Sequence, residues 1–118
     1  MVVWKSEHET SETNAEIAAS ASEIFFTGLF NQQQLTKIGQ SFNSLEINND
    51  SNTIVVDITL DGLESRKRRL FAKGNLSILP EDGIFFNSVK ITNTDAANAI
   101  PAGTIKLNAR ALKPQNRG

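Results

Sequence analysis

From Ser44 onward, apolar and polar residues alternate with a period of two, the repeat of a half-buried strand. SLEIN places Leu45 and Ile47 against Ser44 and Glu46, and NNDSN (48–52) follows as a dense turn signal. TIVVDITL (53–60) sets Ile54, Val56, Ile58 and Leu60 on one face, opposite Thr53, Val55, Asp57 and Thr59. Asp61-Gly62 then predicts a tight turn, because glycine accepts the positive φ that such turns need. NLSIL (75–79) alternates again, and PEDG (80–83) closes it with proline early and glycine late. In IFFNSVKITN (84–93), Phe85 shares a face with Val89 and Ile91, while Phe86 points the other way. After a loop at 94–103, TIKLNARAL puts Ile105, Leu107, Ala109 and Ala111 on one side and Lys106, Asn108, Arg110 and Leu112 on the other.

Upstream, EIFFTGLF (23–30) reads as a strand interrupted at Gly28. In NQQQLTKIGQSF (31–42), Leu35, Ile38 and Phe42 have helical spacing, but Gly39 limits any helix to a turn or an irregular crossing. Residues 1–21 are rich in Ser, Thr, Glu and Ala and predict a flexible arm, with Val2, Val3 and Trp4 as an anchor for a neighbour. About seven short strands separated by Asn, Asp, Gly and Pro predict an all-β fold, an antiparallel β-sandwich of the jelly-roll kind or a small barrel. It has an extended N-terminal arm and at most one short helix. The expected organisation is an arm at 1–21, a sandwich at 22–113 and a basic tail at 114–118. No strand alternates with a long helix, which excludes a parallel α/β sheet.

SRKRR interrupts this pattern. With 65–73 read as a strand, Arg66 and Arg68 share a face with Leu70 and Ala72, and Lys67 and Arg69 share one with Phe71 and Lys73. Unpaired charges in a core cost several kcal/mol each, so the cations must protrude at a hairpin end or sheet edge, the chain entering the core at Leu70 and Phe71. Edge charge blocks stray strand pairing. It also equips the edge to dock on an acidic surface, such as the Glu-rich segment of a neighbouring copy.

The overall charge is near balance, with 12 basic and 13 acidic residues among 118, which argues against whole-molecule steering toward nucleic acid or membrane. Its distribution is uneven. Acids prevail up to Glu23, and from Lys106 on only bases occur (Lys106, Arg110, Lys113, Arg117), a candidate anion contact. There is no cysteine, and the single histidine, His8, lies in the polar N-terminal stretch. Neither a Ser–His nor a Cys–His nucleophile is therefore expected in the sandwich. Asp57, Asp61 and Glu64 cross a turn without the calcium-loop pattern, and no phosphate-cradling glycine motif is present. The expectation is a non-enzyme without cofactor, metal or small-molecule substrate. No apolar run approaches the roughly 20 residues of a membrane span, and the start lacks the basic-then-apolar pattern of a secretion signal.

SLEINNDSNTIVVDITLDG, followed by FAKGNLSILPEDGIFFNSVKITNTDAANAIPAGTIKL, resembles small β-sandwich structural proteins of bacteriophages, across residues 44–62, 74–83 and 84–107. The resemblance implies a virion protein made in the host cytoplasm. It implies a self-assembling homo-oligomer attached to the capsid as a vertex, minor or decoration component, with other virion proteins as partners. Adjacent Phe25–Phe26 and Phe85–Phe86 offer one aromatic of each pair to an interface. The expected contact residues are Val2, Val3, Trp4, Phe25, Phe26, Phe86, Arg66, Lys67, Arg68 and Arg69. Two alternatives are a nucleic-acid-binding β module using the basic hairpin and tail, and a receptor- or carbohydrate-binding tail or fibre sandwich.

Overall fold

The computed structural model describes residues 3–26 and 42–115. Gly28, Phe30, Leu35, Ile38 and Gly39 lie outside them. The strands are β1 (Val3–Thr13), β2 (Ser22–Phe25), β3 (Ser44–Asn49), β4 (Val56–Leu60), β5 (Lys67–Leu70), β6 (Asn75–Ile78), β7 (Val89–Asn93) and β8 (Ile105–Gln115). They pair antiparallel in a nested order: β1 with β8, β2 with β7, β3 with β6 and β4 with β5. Such nesting is a long hairpin rolled over on itself, and it yields two four-stranded sheets, β1-β8-β3-β6 and β2-β7-β4-β5. The fold is an antiparallel β-sandwich of the jelly-roll kind.

The alternation seen in the sequence builds the core directly. Leu45 and Ile47 of β3, Val56, Ile58 and Leu60 of β4, and Ile105, Leu107, Ala109 and Ala111 of β8 are all buried between the sheets. Each large apolar side chain so enclosed contributes about 1.5–3 kcal/mol by leaving water.

Residues 3–21 do not form the separate arm expected of 1–21. From Val3 to Thr13 they make one of the two longest strands, paired with β8 from Val3–Gln115 to Thr13–Lys106. Ile17 then enters the core through a bridge to Ile100. An edge strand is held mainly by backbone pairing and needs few apolar side chains, so its polar sequence conceals it. Pro114 and Gln115 likewise belong to β8 rather than to a tail.

The aromatic pairs also depart from expectation. Phe25 and Phe26 both face the core, each 1% exposed. Phe26 takes a left-handed φ of 72°, which turns its side chain inward beside its neighbour's, and its N–H donates to the Glu12 carboxylate at 2.7 Å. In the second pair Phe86 is buried and Phe85 is 52% exposed. β7 begins only at Val89, and Asn87 and Ser88 form a bend that shifts the alternation by one. Phe25, Phe26, Phe42 and Phe86 pack in series, with ring centroids 6.4, 5.6 and 5.7 Å apart, and close one end of the sandwich.

Candidate functional site

The basic run sits at the folded-over tip of the roll. β4 turns at Asp61-Gly62, whose φ values of 54° and 71° are both left-handed, as a two-residue type I′ turn requires. Leu63 N–H donates to the Leu60 carbonyl at 3.1 Å across it. A 3-10 turn, Glu64–Arg66, leads into β5. The strand is therefore shorter than expected, because Arg66 is drawn back to the tip. Its guanidinium donates to Asp61 Oδ2 at 3.2 Å and to the Phe85 carbonyl at 2.6 Å. Asp61 Oδ1 accepts from Asn87 and Ser88 N–H at 2.7 and 3.0 Å. One carboxylate thus ties the β4–β5 turn to the approach to β7, although the sequence marked Asp61 only as a turn former.

Three cations remain on β5. Lys67 and Arg69 project to the outer face and share Asp57 of β4, at 3.9 and 3.1 Å, and Lys67 also reaches Glu64 at 3.3 Å. Arg68 stands opposite Ile58 in the register, on the core side of the sheet. It stays exposed, and among the described residues it has no ion-pair partner. A cation at that position cannot be covered without cost, so β5 must end its sheet. The edge placement expected from the sequence holds. The core entry holds only for Leu70, since Phe71 leaves the strand and is 66% exposed.

The other expected contact residues are dispersed. Val2 and Arg117 lie outside the described residues. Val3 and Trp4 are half-buried in β1, opposite Gln115 and Pro114. Phe25, Phe26 and Phe86 belong to the core and present nothing to a partner. Of the C-terminal cations, Lys113 is exposed, while Lys106 pairs with Asp50 at 3.4 Å. Arg110 is shared by Glu9 at 3.4 Å and Glu46 at 3.9 Å. The acidic beginning and basic end of the chain therefore meet first within one molecule, where β1 lies beside β8.

Sequence reasoning missed the exposed apolar side chains Ile24, Leu63, Leu79, Phe71 and Phe85. Leu63 and Phe85 flank Arg66 at the tip, through Arg66 N–H to the Leu63 carbonyl and its guanidinium to the Phe85 carbonyl. The outer face of the β1-β8-β3-β6 sheet holds a shallow depression of about 390 Å³ lined by Ser11, Thr13, Glu46, Asn48, Lys106 and Asn108 among others, with no aromatic side chain. Asn108 is occupied there, donating to Glu9 and Ser11. Burial raises the Glu23 carboxyl above the ordinary carboxylate range, against the lowering effect of a bond from Ala15 N–H, and the nearby Glu12 charge adds to the rise. Among the described residues, no group of three His, Cys, Asp or Glu side chains converges as a metal site would. Among those residues, too, no helix is long and apolar enough to cross a membrane.

No protein-family model matches this chain, and no curated protein matches its sequence.

Proposed function

We propose that this chain is a non-enzymatic structural component of a bacteriophage virion, a self-assembling capsid-associated vertex, minor or decoration protein. The observation that carries the reading is the nested strand order, β1 with β8 through β4 with β5. Eight-stranded jelly rolls serve viral capsids, and also lectins and cupins, so fold supplies an analogy and the sites must choose among its uses. Here the concentrated cations occupy a strand edge rather than a cavity, and apolar side chains remain exposed around the tip. Both features suit contact with another protein surface. The exposed aromatics near the cations, Phe85 beside Arg66 and Phe71 just past the other end of β5, are separated by the strand and fall short of the continuous stacking platform that single-stranded nucleic acid uses. Light scattering behind a sizing column, at low and high salt, tests the reading. A discrete oligomer of the full chain is expected. A monomer at every concentration, retarding labelled DNA or RNA at moderate salt, would replace it with the nucleic-acid reading.

A further inference from the structure

Among the described residues each sheet ends in two edge strands, giving four rims: β1 and β6 on one sheet, β2 and β5 on the other. The β6 and β2 rims are four residues long and nearly uncharged, Asn-Leu-Ser-Ile and Ser-Glu-Ile-Phe. The other two are charged and opposite in sign. β5 presents Lys67, Arg68 and Arg69 in succession. β1 runs for 11 residues without proline or glycine and carries Glu9 and Glu12 against Lys5, Glu12 accepting from Phe26 N–H and Glu9 standing exposed. Local ion pairs leave a surplus on each side. Asp57 and Glu64 between them meet Lys67 and Arg69, but Arg68 has no ion-pair partner among the described residues, while Glu9 of β1 shares its one arginine with Glu46 of β3.

An edge strand offers unpaired backbone N–H and C=O groups to any strand that can approach. Like charges directly opposite one another across strands are destabilising, and unlike charges are favourable. Two β5 rims therefore repel, two β1 rims repel, and β5 against β1 attracts.

We infer that copies of this chain join head to tail, the β5 edge of one pairing antiparallel with the β1 edge of the next. The inference rests on the self-assembly reading above and gives it a geometry. Because the two joined surfaces differ, the contact is heterologous: it closes into a ring if the rotation between neighbours permits, and otherwise extends as a filament. A twofold dimer through either rim is disfavoured by its own charges. The arginine without a partner then has a role that edge protection alone does not supply, since it finds its carboxylate on the next copy.

Charge exchange tests this on the full chain. Arg68→Glu touches no internal ion pair and leaves the fold intact, with Arg68→Gln as the milder version. Glu9→Lys reverses the opposite rim. Each reversal alone is expected to raise the concentration of half-assembly about tenfold, since it converts an attractive cross-strand pair into a repulsive one. Mixed in equal amounts, the two variants can alternate with unlike charges at every link, and the double variant R68E/E9K does the same within one chain; each is expected to return assembly to within about threefold of wild type. Wild-type assembly that neither reversal weakens would overturn the edge pairing while leaving self-assembly standing. So would weakened assembly that the double variant fails to recover. A wild-type chain that stays monomeric overturns the self-assembly reading itself. If it also binds polyanions in an Arg68-dependent, salt-sensitive way, the basic rim is a nucleic-acid contact instead.

Discussion

The two ends of the sandwich differ in what chiefly seals them, although the aromatic end also holds a buried asparagine, Asn43, bonded both ways to Leu112. At one, Phe25, Phe26, Phe42 and Phe86 pack ring against ring. At the other, three buried asparagines act as staples between loops. Asn14 donates to the Ala15 and Pro101 carbonyls and accepts from Ile105 N–H. Asn49 donates to the Ile54 and Phe71 carbonyls and accepts from Ser51 N–H. Asn93 donates to the carbonyls of Ile17, Ala18 and Asn98 and accepts from Asp95 N–H. The aromatic seal is non-directional and gains by area. The asparagine seal is directional, and its merit lies in leaving few buried backbone groups without partners, because an unmade buried bond costs more than a made one gains.

That contrast is open to test, beginning with the largest effect. Phe42→Ala should lower stability by about 3–5 kcal/mol in urea unfolding, since it removes the ring that joins Phe26 to Phe86 and leaves a void. Asn93→Ala should cost about 1–3 kcal/mol, because three loop carbonyls lose their donor together. Asn93→Asp should fail to rescue it, as the acceptor survives without the donors. The adjacent pair sharpens the point: Phe86→Ala should resemble Phe42→Ala, while Phe85→Ala stays within about 0.5 kcal/mol of wild type. A larger effect at 85 than at 86 would show that the alternation does not shift at the Asn87 bend.

The smallest effect is a pH dependence at the asparagine end. Bonds from Ala97 N–H, then from the Asn98 side chain and N–H, hold the Asp95 carboxyl below the ordinary carboxylate range. A group whose folded pKa is depressed adds stability above its unfolded value, and that stability is lost as pH falls through the folded one. Thermal melts should therefore show a small acid-side loss, beginning below about pH 4, which Asp95→Asn reduces. The site's access to solvent keeps the effect slight.

Most of the fold was legible because strands buried on one face must alternate. Leu45, Ile47, Val56, Ile58, Ile105 and Leu107 declared their faces, and the Asp61-Gly62 turn was fixed by glycine's backbone freedom. β1 was hidden because an edge strand can be polar on both faces. The asparagine staples were hidden as well, since a turn-forming asparagine and a buried one are the same letter, and only the fold shows which carbonyls lie within reach. The basic edge was legible from the cost of burying charge. Its exposed neighbours Phe85 and Phe71 were not, because their facing depends on a bend and on where a strand stops.

With both ends sealed from within, the rims carry the account's central claim, that unlike edges join copies of the chain. The chain contains no cysteine, so introduced ones report without background. Ser65→Cys places a thiol beside β5 and Ser11→Cys places one on β1, both at exposed positions. A short bis-maleimide should link the two variants when they are mixed, giving a heterodimer, and should link neither variant to itself. Equal linking of like with like, or no linking in a sample that light scattering shows to be assembled, would contradict the head-to-tail arrangement.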